Sequence, residues 1–353
     1  MPEIARSRAT LVRFSLCRRS ADGEAGLRSH LSLAILASYP IAVVSLLVVT
    51  SVIPQQAGVL ALAQIFLPHL VLAAIVMVPV AMFTGHRPLL IGLVVLGLVG
   101  SVRFGPEWVS ITATAEGEAS LRLVSWNLEA GAIPTHQVVA ALQAHDAEIV
   151  ALQELTPSVA DAISADQRLV DRFPHQVLMP DPGKLGMGLL SRHPVGRPDA
   201  IDGVQGFVVD VLLDGERPIA VINAHPFPGE IRLIGLLPVS FDGARRDVEI
   251  GLVRDRIDAL MAAGEPFVVL GDYNVVSTEP GYAQLAAGLR DLHAEVGAGT
   301  GWTWRPSRLE VVGFGLLRLD YAFASPELGV VASDVECYPS GDHCLLSANV
   351  TVP

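Results

Sequence analysis

The stretch Phe267-Val268-Val269-Leu270-Gly271-Asp272-Tyr273-Asn274 places an apolar run directly before a carboxylate and an amide. Four consecutive apolar residues that end at a glycine are typical of a short strand buried on both faces. Gly271 has no side chain, so another part of the backbone can approach it closely. We therefore predict a buried strand whose carboxyl end presents Asp272 and Asn274 to a polar site.

Polar residues follow apolar runs at five further places. These are Ser125-Trp126-Asn127, Gln153-Glu154, Asn223-Ala224-His225, Leu319-Asp320-Tyr321 and Gly341-Asp342-His343. Together the clusters supply carboxylates, amides and two histidines. Such groups can bind a hard divalent cation and can orient water and phosphate around it. The pattern predicts metal-assisted hydrolysis of a phosphate ester.

Short aliphatic and β-branched runs predict a series of strands along the same part of the chain. These are Leu121–Trp126, Ile149–Leu152, Gly188–Ser191, Phe207–Leu213, Ile219–Asn223, Phe267–Leu270, Tyr321–Ala324 and Leu345–Val350. Helices are predicted over Thr135–Ala144, Val159–Asp166, Ala244–Ala263 and Tyr282–Ala287. Strands in this number, with helices between them, predict an α/β fold of two sheets packed face to face and flanked by helices.

The predicted helix Ala244–Ala263 has a mixed sequence that suggests two faces. Its arginines, Arg246, Arg254 and Arg256, mark the predicted solvent face. The predicted packed face is formed by Val248, Leu252, Ile257 and Leu260.

The combined motifs resemble the endonuclease/exonuclease/phosphatase superfamily over roughly Leu121–Val352. The resemblance implies a four-layer α/β-sandwich and a phosphoesterase that depends on Mg²⁺, with Mn²⁺ as a second candidate ion. It implies Glu154 as the principal metal ligand, with Asn127 and Asp342 as further metal ligands. Carboxylates at strand ends suit Mg²⁺, which takes few protein ligands and keeps several waters.

The resemblance also implies the catalytic residues. His343 pairs with Asp320, and a histidine held by a buried carboxylate is fixed in one tautomer and becomes more basic. His343 then takes a proton from water or contacts a phosphoryl oxygen. Asp272 orients the attacking water or helps to bind the metal, while Asn274 and His225 contact the phosphate.

Three features depart from the family's pattern. Gly341 stands where the family commonly has serine, and Ala224 stands where it usually has threonine or serine. Members of the nuclease branch often carry a catalytic tyrosine upstream of the Gly186–Arg192 motif, and this chain has none between Ala160 and Gly188. The missing tyrosine disfavours an abasic-site nuclease.

Hydrophobic residues make up 51% of the 353-residue chain, and the excess lies near its beginning. Leu31–Ile53 and Val59–Phe83 are apolar runs of 23 and 25 residues, and about 20 such residues cross a bilayer core. A buried helix pair is the alternative, although soluble helices of this length carry charged faces. Leu89–Val102, with 14 residues before Arg103, is either a third span or a re-entrant or surface helix. We predict three transmembrane helices within residues 31–103.

The distribution of arginine predicts the orientation in the membrane. Six arginines and three acidic residues precede Leu31, and the loop Thr84–Pro88 contains Arg87. The positive-inside rule then makes residues 1–30 a cytoplasmic basic tail. With three spans, a linker over residues 104–120 and a catalytic domain over residues 121–353 lie outside the cytoplasm. The protein is thus predicted to be a multi-pass cell-membrane protein.

Residues 104–353 contain 16 basic and 33 acidic residues, a formal net charge of −17. This charge disfavours nucleic acid as a partner and suits a divalent cation. Cys337 and Cys344 are seven residues apart and flank the last motif. They either pair in an oxidising exterior or remain two separate buried thiols.

The region after Asn274 resembles a membrane-anchored bacterial branch of the superfamily, which includes the teicoplanin-resistance membrane hydrolase. This resemblance implies a phosphorylated, lipid-linked substrate of the cell envelope, with the bilayer as a partner. Trp302, Trp304 and Phe314 either line a lipid-facing groove or pack in the core. A nuclease that faces the cell exterior and a non-catalytic membrane scaffold are the alternative functions. The sequence leaves the oligomeric state open.

Overall fold

The computed structural model describes residues 36–109, 120–214, 217–235, 237–309 and 313–352. The chain forms two compact units. The helical unit contains the described residues up to Val52 and Phe66–Arg103, and the sandwich unit contains Ile53–Ile65 and the described residues from Phe104 onward. The predicted basic tail, residues 1–30, and residues 110–119 of the predicted linker lie outside the described residues.

The helices, in chain order, are α1 (Leu36–Val52), α2 (Val59–Ile65), α3 (Leu67–Thr84), α4 (Arg87–Trp108), α5 (Thr135–Ala144), α6 (Pro157–Ala165), α7 (Gln167–Arg172), α8 (Ala244–Ala263), α9 (Pro280–Ala286) and α10 (Leu292–Val296). The strands are β1 (Ala57–Gly58), β2 (Ser120–Asn127), β3 (Ile149–Gln153), β4 (His175–Met179), β5 (Met187–Ser191), β6 (Asp199–Ala200), β7 (Gly206–Leu213), β8 (Arg217–Ala224), β9 (Glu230–Ile234), β10 (Leu237–Asp242), β11 (Phe267–Asp272), β12 (Arg290–Asp291), β13 (Asp320–Ala324), β14 (Gly329–Glu336) and β15 (Leu345–Thr351).

The helical unit packs α1, α3 and most of α4 together. The Tyr39 hydroxyl of α1 donates to the Leu70 carbonyl of α3 at 2.5 Å. Gly100 of α4 lies so close to Val71 of α3 that a β-carbon would come within 2.2 Å of it. By length and composition α3 and α4 can cross a membrane, whereas the described part of α1 is shorter.

The apolar run Val59–Phe83, predicted as one span, forms two helices instead. The chain turns at Phe66, and Pro68 occupies the first turn of α3, where its missing N–H costs nothing. Gln64 of α2 is buried and donates to the Thr278 carbonyl at 2.5 Å. Hydrophobicity alone does not reveal that α2 belongs to the sandwich unit.

The third apolar segment is longer than the 14 residues predicted from the sequence. Helix α4 continues through Arg103 and ends at Trp108, giving 22 residues. Phe104 is buried, and its ring stacks on Trp108 at 5.4 Å between centroids. The first residues of the predicted polar linker are therefore helical.

The sandwich unit contains two six-stranded sheets. The first has the order β12-β13-β11-β8-β7-β6, and the second has the order β14-β15-β2-β3-β5-β4. The core between them joins inward-facing residues such as Leu123 and Leu189 of the second sheet to Val221, Val268 and Leu270 of the first. Alternate residues of the same strands face outward, so both faces of these strands are apolar.

The outer face of each sheet is covered by helices. Val150 and Leu152 pack against α5, α6 and α7, while Phe267 and Val269 pack against α8 and α9. The predicted four-layer α/β-sandwich is confirmed.

A buried amide pair connects the two sheets at one edge. Gln153 at the end of β3 donates to Asn223 Oδ1 of β8 at 2.8 Å. The Asn223 amide group donates in turn to the carbonyls of Leu152 and Gly188 at 3.2 and 2.9 Å. Because strands β2 and β3 are parallel, as are β8 and β11, this bond brings four carboxyl ends to the same edge.

Helix α8 has the predicted bounds, and Leu252, Ile257 and Leu260 pack in the core as predicted, but Arg246 and Val248 do not lie on the predicted faces. Arg246, expected in solvent, is 1% exposed, and Val248, expected in the core, is 68% exposed. The Arg246 guanidinium lies 2.7 Å from Asp247 and 2.8 Å from Glu279, so its charge is neutralised within the fold. A buried arginine with two carboxylate partners is tolerated where an unpaired one would not be.

A three-stranded sheet with the order β1-β10-β9 was not predicted. Strand β1 pairs antiparallel with the end of β10, and Gln56 beside it donates to Asp247 at 3.2 Å. Phe241 of β10 is buried in a cluster with Ala61 and Ile65 of α2. The segment Ile53–Ile65 is thereby attached to the hairpin β9–β10.

The variant Asn223→Ala tests the amide bridge between the sheets. Removing this side chain leaves the Gln153 amide and two carbonyls unpaired in the core, which costs about 3 kcal/mol or more of unfolding free energy. Thermal or denaturant unfolding of the full-length protein in detergent measures the loss. Asn349→Ala, which removes an asparagine side chain at a half-buried position of β15, is the control. Equal stability of the two variants would contradict the assigned role.

Candidate active site

The strand ends place the predicted polar residues at one edge of the sandwich. Asn127 is the last residue of β2, and Glu154 follows β3. His225 follows β8, and Asp272 ends β11. Asp320, the first residue of β13, is paired in register with Asp272.

Asp272 is the centre of the resulting network. Its Oδ2 atom accepts from Asn127 Nδ2 at 3.0 Å and lies 3.5 Å from Nε2 of both His225 and His343. Its Oδ1 atom accepts the backbone N–H of Asn274 at 2.9 Å. Burial raises the pKa of Asp272, but His343, His225 and Asn127 outweigh it and lower the pKa to about 2. Asp272 is therefore a carboxylate at neutral pH.

Asp320 and His343 form a buried pair. Nδ1 of His343 lies 2.8 Å from Oδ2 of Asp320, which is fully buried. Burial lowers the pKa of His343, but the charges of Asp320 and Asp272 outweigh it and raise that pKa to about 10. The pair is an ion pair in which the imidazole carries the proton, and the bond to Asp320 directs Nε2 toward Asp272.

Glu154 has one engaged and one unpartnered oxygen. Oε1 accepts from Asn127 at 3.3 Å and lies 3.4 Å from Nζ of Lys184. Oε2 is buried and has no hydrogen-bond partner among the described residues. The backbone of Glu154 has φ +53°, a left-handed conformation that non-glycine residues adopt at a cost. The fold thus holds an unpaired carboxylate oxygen in a strained position.

Asp342, like Glu154, has one carboxylate oxygen with a hydrogen bond and one without. Its Oδ2 atom accepts from the indole of Trp304 at 3.2 Å, and its Oδ1 atom is buried and unpartnered within the described chain. Burial raises the pKa of Asp342 to about 6; His343 opposes the rise, and the charges of Glu129 and Glu154 add to it. A cation near Glu154 and Asp342 would relieve both the repulsion and the unpaired oxygens.

A second group of possible ligands is Asp272, Asp320 and His343, whose ligand atoms lie within 4.8 Å of one another. Two of their atoms are engaged, since Nδ1 of His343 is bonded to Asp320 and Oδ2 of Asp272 accepts from Asn127, whereas Oδ1 of Asp320 is buried without a hydrogen-bond partner among the described residues. A protonated imidazole cannot bind a metal. Mg²⁺ also prefers oxygen ligands. The donor set therefore favours Glu154 and Asp342 for a hard cation.

Asn274 and His225 complete the cluster. Asn274 has φ +52°, and its amide donates to the Pro226 carbonyl at 3.1 Å and to Asp272 Oδ2 at 3.4 Å. His225 Nε2 lies 3.9 Å from Glu154 Oε1. Asn127 turns its NH₂ group toward the carboxylates and accepts the Glu129 N–H on its oxygen at 2.9 Å. The structure thus brings all eight predicted site residues together, while their individual roles remain predictions.

Two glycines shape the backbone of the site. A β-carbon on Gly271 would lie 2.0 Å from the Ala224 carbonyl oxygen, so the close approach expected there is present. Gly341, which departs from the family's usual serine, has φ +98°, and a β-carbon there would meet Ile133 at 2.8 Å. This conformation favours glycine over serine immediately before Asp342.

Sequence reasoning missed several residues that support the site. Lys184, the single lysine of the chain, contacts Glu154 from an exposed loop. Thr303 Oγ1 accepts the N–H of Asp320 at 3.1 Å, and Trp304 donates to Asp342. The sequence predicts for Trp304 only a place in a lipid-facing groove or in the core.

Cys337 and Cys344 form a disulfide that closes the loop carrying Asp342 and His343. The two cysteines are therefore paired and are not separate thiols. Arg305 donates to the carbonyls of Tyr338 and Gly341 inside the same loop. The loop is held at both ends and in its middle, which limits the positions available to Asp342 and His343.

The raised pKa of Asp342 predicts how Mg²⁺ affinity depends on pH. Protons compete for a carboxylate with a pKa of about 6, so Mg²⁺ binding should weaken about tenfold between pH 7 and pH 5. Isothermal titration calorimetry of the full-length protein measures the effect. Asp342→Asn should bind Mg²⁺ more weakly at both pH values and with less dependence on pH. Affinity that is constant with pH in the natural chain would contradict a ligand role for Asp342.

Residues 124–343, more than half of the chain, match the model of the Endonuclease/Exonuclease/phosphatase family. A comparison with curated proteins found no match. Among solved structures, the 3′ phosphatase NExo from Neisseria, bound to product DNA hairpin, is 19% identical with a TM-score of 0.51, and the match covers 65% of this chain and 98% of that one.

A family protein from Bacteroides thetaiotaomicron is 18% identical with a TM-score of 0.50, and the match covers 67% of this chain and 100% of the other. A protein from Bacteroides vulgatus is 14% identical with a TM-score of 0.51 at the same coverage. At these identities the similarities establish the fold. Together with the family match, they show that the chain belongs to the endonuclease/exonuclease/phosphatase family of metal-dependent hydrolases that cleave phosphoester and phosphodiester bonds.

Proposed function

We propose that the protein is a membrane-anchored, Mg²⁺-dependent phosphoesterase that hydrolyses a phosphate ester or pyrophosphate of a lipid-linked cell-envelope substrate. The observation that carries the proposal is the pair of unpartnered carboxylate oxygens, Glu154 Oε2 and Asp342 Oδ1. They lie in the same network as the Asp320–His343 ion pair, and His343 Nε2 is 4.0 Å from Asp342. Surplus negative charge beside a proton donor suits a cation and a phosphate together.

Glu154 and Asp342 would hold the cation, and Asn127 would support them. The Asn127 amide fixes Glu154 and Asp272 by hydrogen bonds, and its oxygen has a second lone pair beyond the one used by Glu129. When bound, Mg²⁺ supplies charge stabilisation of several kcal/mol to the phosphoryl oxygens in the transition state.

The remaining residues orient water and phosphate for in-line attack. Asp272 stays ionised, so it would accept a hydrogen bond from the attacking water and take the proton that the water loses as its oxygen bonds to phosphorus and the bond to the leaving-group oxygen breaks. His343, protonated and held by Asp320, donates from Nε2 to a phosphoryl or leaving-group oxygen. His225 and Asn274, which follow β8 and β11, would contact the phosphate, and Asn274 would exchange one of its present hydrogen bonds for this contact.

Four observations support a membrane location and a lipid-linked substrate. Helices α3 and α4 are long and apolar enough to cross a membrane. The Cys337–Cys344 disulfide suits an oxidising compartment outside the cytoplasm. A net charge of −17 over residues 104–353 argues against a polyanion such as DNA as the principal substrate. The arginine distribution also supports a location of the sandwich unit outside the cytoplasm.

A nuclease is the second candidate, because the similar fold of NExo is found with a DNA product. Hydrolysis assays of the purified full-length protein distinguish the candidates. We expect Mg²⁺-dependent phosphate release from polyprenyl pyrophosphate, lost with EDTA and restored by Mg²⁺, with no cleavage of single-stranded or duplex DNA. Cleavage of DNA alone would identify a nuclease instead. Mg²⁺ binding without any hydrolysis would indicate a scaffold.

Two variants test the assignment of residues in the same assay. Glu154→Gln weakens the cation site and Asp320→Asn removes the charge that holds His343, so each should lower kcat/KM by about 10²-fold or more. Glu265→Gln, an exposed position on the sandwich unit, is the matched control and should retain full activity. Full activity in Glu154→Gln would exclude Glu154 as the principal ligand.

Reporter fusions test the proposed side of the membrane. Alkaline phosphatase is active only outside the cytoplasm, so a fusion after residue 353 should be active. A fusion after Gly85, in the loop that contains Arg87, should be inactive. The reverse pattern in intact cells would place the sandwich unit in the cytoplasm and contradict the cell-envelope substrate.

A further inference from the structure

The hairpin of β9 and β10 exposes an apolar tip. Ile234 and Leu237, which face each other across the turn, are 67% and 70% exposed, and Ile231 and Leu233 are 55% and 54% exposed. The residues between them in sequence are Gly235 and Leu236. Contiguous exposed apolar surface of this kind marks a site of interaction.

The polarity of the hairpin changes along its length. Glu230 and Asp242 face each other at the base, and Arg232 lies between the base and the tip. From Leu233 to Pro238 the sequence Leu-Ile-Gly-Leu-Leu-Pro contains no charge. At about 3.3 Å per residue, the apolar part of each strand extends on the order of 5–10 Å, which is the depth of apolar insertion at a bilayer interface.

The edges of the hairpin argue against pairing with another strand. Arg232 is on the outer strand β9, and Pro238 removes an N–H from β10 next to a register shift. Charge, proline and bulges are features that prevent edge-to-edge pairing. They leave the tip, rather than the edge, as the surface available to a partner.

The base of the hairpin is connected to the segment between two apolar helices. Strand β1 pairs with β10 at Ala57 and Gly58, five residues after α1 ends at Val52. Helix α2 packs on Phe241 of β10 and ends two residues before α3 begins. Such short connections span less than about 20 Å even when extended. If α1 and α3 cross the membrane as proposed, the hairpin base lies within that distance of the bilayer.

The hairpin is also connected to the catalytic residues. It begins five residues after His225 in the chain. Phe241 is 5% exposed and packs in one cluster with Val276 and Leu319. Val276 follows Asn274 by two residues, and Leu319 directly precedes Asp320. Contacts that restrict the position of the hairpin therefore also restrict the position of the strand ends that carry the site residues.

We infer that the tip of the β9–β10 hairpin inserts into the lipid bilayer surface and holds the active site at the depth of a lipid headgroup. This inference rests on the proposed membrane location and deepens the proposed function, because it makes a bilayer-embedded phospholipid-like substrate the one that the site reaches. Soluble phosphoesters reach the same site without using the tip.

Fluorescence quenching in reconstituted full-length protein tests the insertion. Leu237→Trp is compared with Val248→Trp, an equally exposed apolar position on α8, in phosphatidylcholine–phosphatidylglycerol vesicles with brominated acyl chains. The fluorescence added at Leu237 should be quenched at least about twofold more strongly than that added at Val248, because insertion brings the indole to the acyl chains. Equal quenching of the two would overturn the inference.

Activity in the same vesicles provides the second readout. Ile234→Asp/Leu237→Asp should raise KM for vesicle-embedded polyprenyl pyrophosphate about tenfold or more, since charges cannot enter the acyl boundary. The variant should hydrolyse bis(p-nitrophenyl) phosphate in solution as well as the natural chain does, and Val248→Asp should change neither activity. An unchanged KM for the embedded substrate would contradict the inference, as would concentration-dependent cross-linking of Leu237→Cys to a second copy in place of quenching. Absence of lipid hydrolysis in the natural chain would refute the proposed function alone, because the quenching comparison still decides the insertion.

Discussion

The hydrogen bond between Gln153 and Asn223 fixes how the two sheets of the sandwich are aligned. Each residue is the last or next-to-last of a central strand, and both side chains are buried. Apolar contacts between the sheets would allow one sheet to shift along the other. A buried amide pair does not, because a shift would leave its polar groups without hydrogen bonds. With this register, Asn127 and Glu154 of one sheet meet His225 and Asp272 of the other. The site therefore depends on a polar contact that takes no part in the chemistry.

Charge balance distinguishes the site from the remainder of the core. Arg246 has Glu279 and Asp247 as partners, and Arg318 is paired with Asp291. At the strand ends the carboxylates outnumber their partners, and three buried oxygens, one each of Glu154, Asp320 and Asp342, have no hydrogen-bond partner among the described residues. An unpaired buried carboxylate is costly, so its retention in a strained backbone position is typical of a binding site. The stability lost there is recovered when a cation binds.

Local patterns in the sequence predict the four-layer sandwich, the composition of the site and eight of the strands, namely β2, β3, β5, β7, β8, β11, β13 and β15. Four of the six polar clusters follow a continuous apolar run at the end of β2, β3, β8 or β11, whereas Asp320 begins β13 and Asp342 and His343 precede β15. The burial of Arg246 in α8 could not be predicted, because the partners that neutralise it include Glu279, which is distant in sequence. The sequence pattern does not separate α2 from the transmembrane segment that follows it, because the hydrogen-bond partner of Gln64 is more than two hundred residues away in sequence.

The β9–β10 hairpin was missed for a different reason. Its strands lack the alternation of a half-buried sheet, since all five residues of β9 are exposed. Alternation of apolar and polar residues reveals a strand only where one of its faces is buried, and all side chains of β9 are exposed. Lys184 and Trp304 were missed because each acts through a contact that only the folded loops create.

The central claim is that Glu154 and Asp342 hold a divalent cation beside the Asp320–His343 pair. The most direct measurement is anomalous diffraction from crystals of the protein soaked in Mn²⁺, with Glu154→Gln as the comparison. The account predicts one principal peak within bonding distance of the Glu154 and Asp342 carboxylates, which is lost in the variant. A principal peak on Asp272, Asp320 and His343, unchanged in the variant, would contradict it.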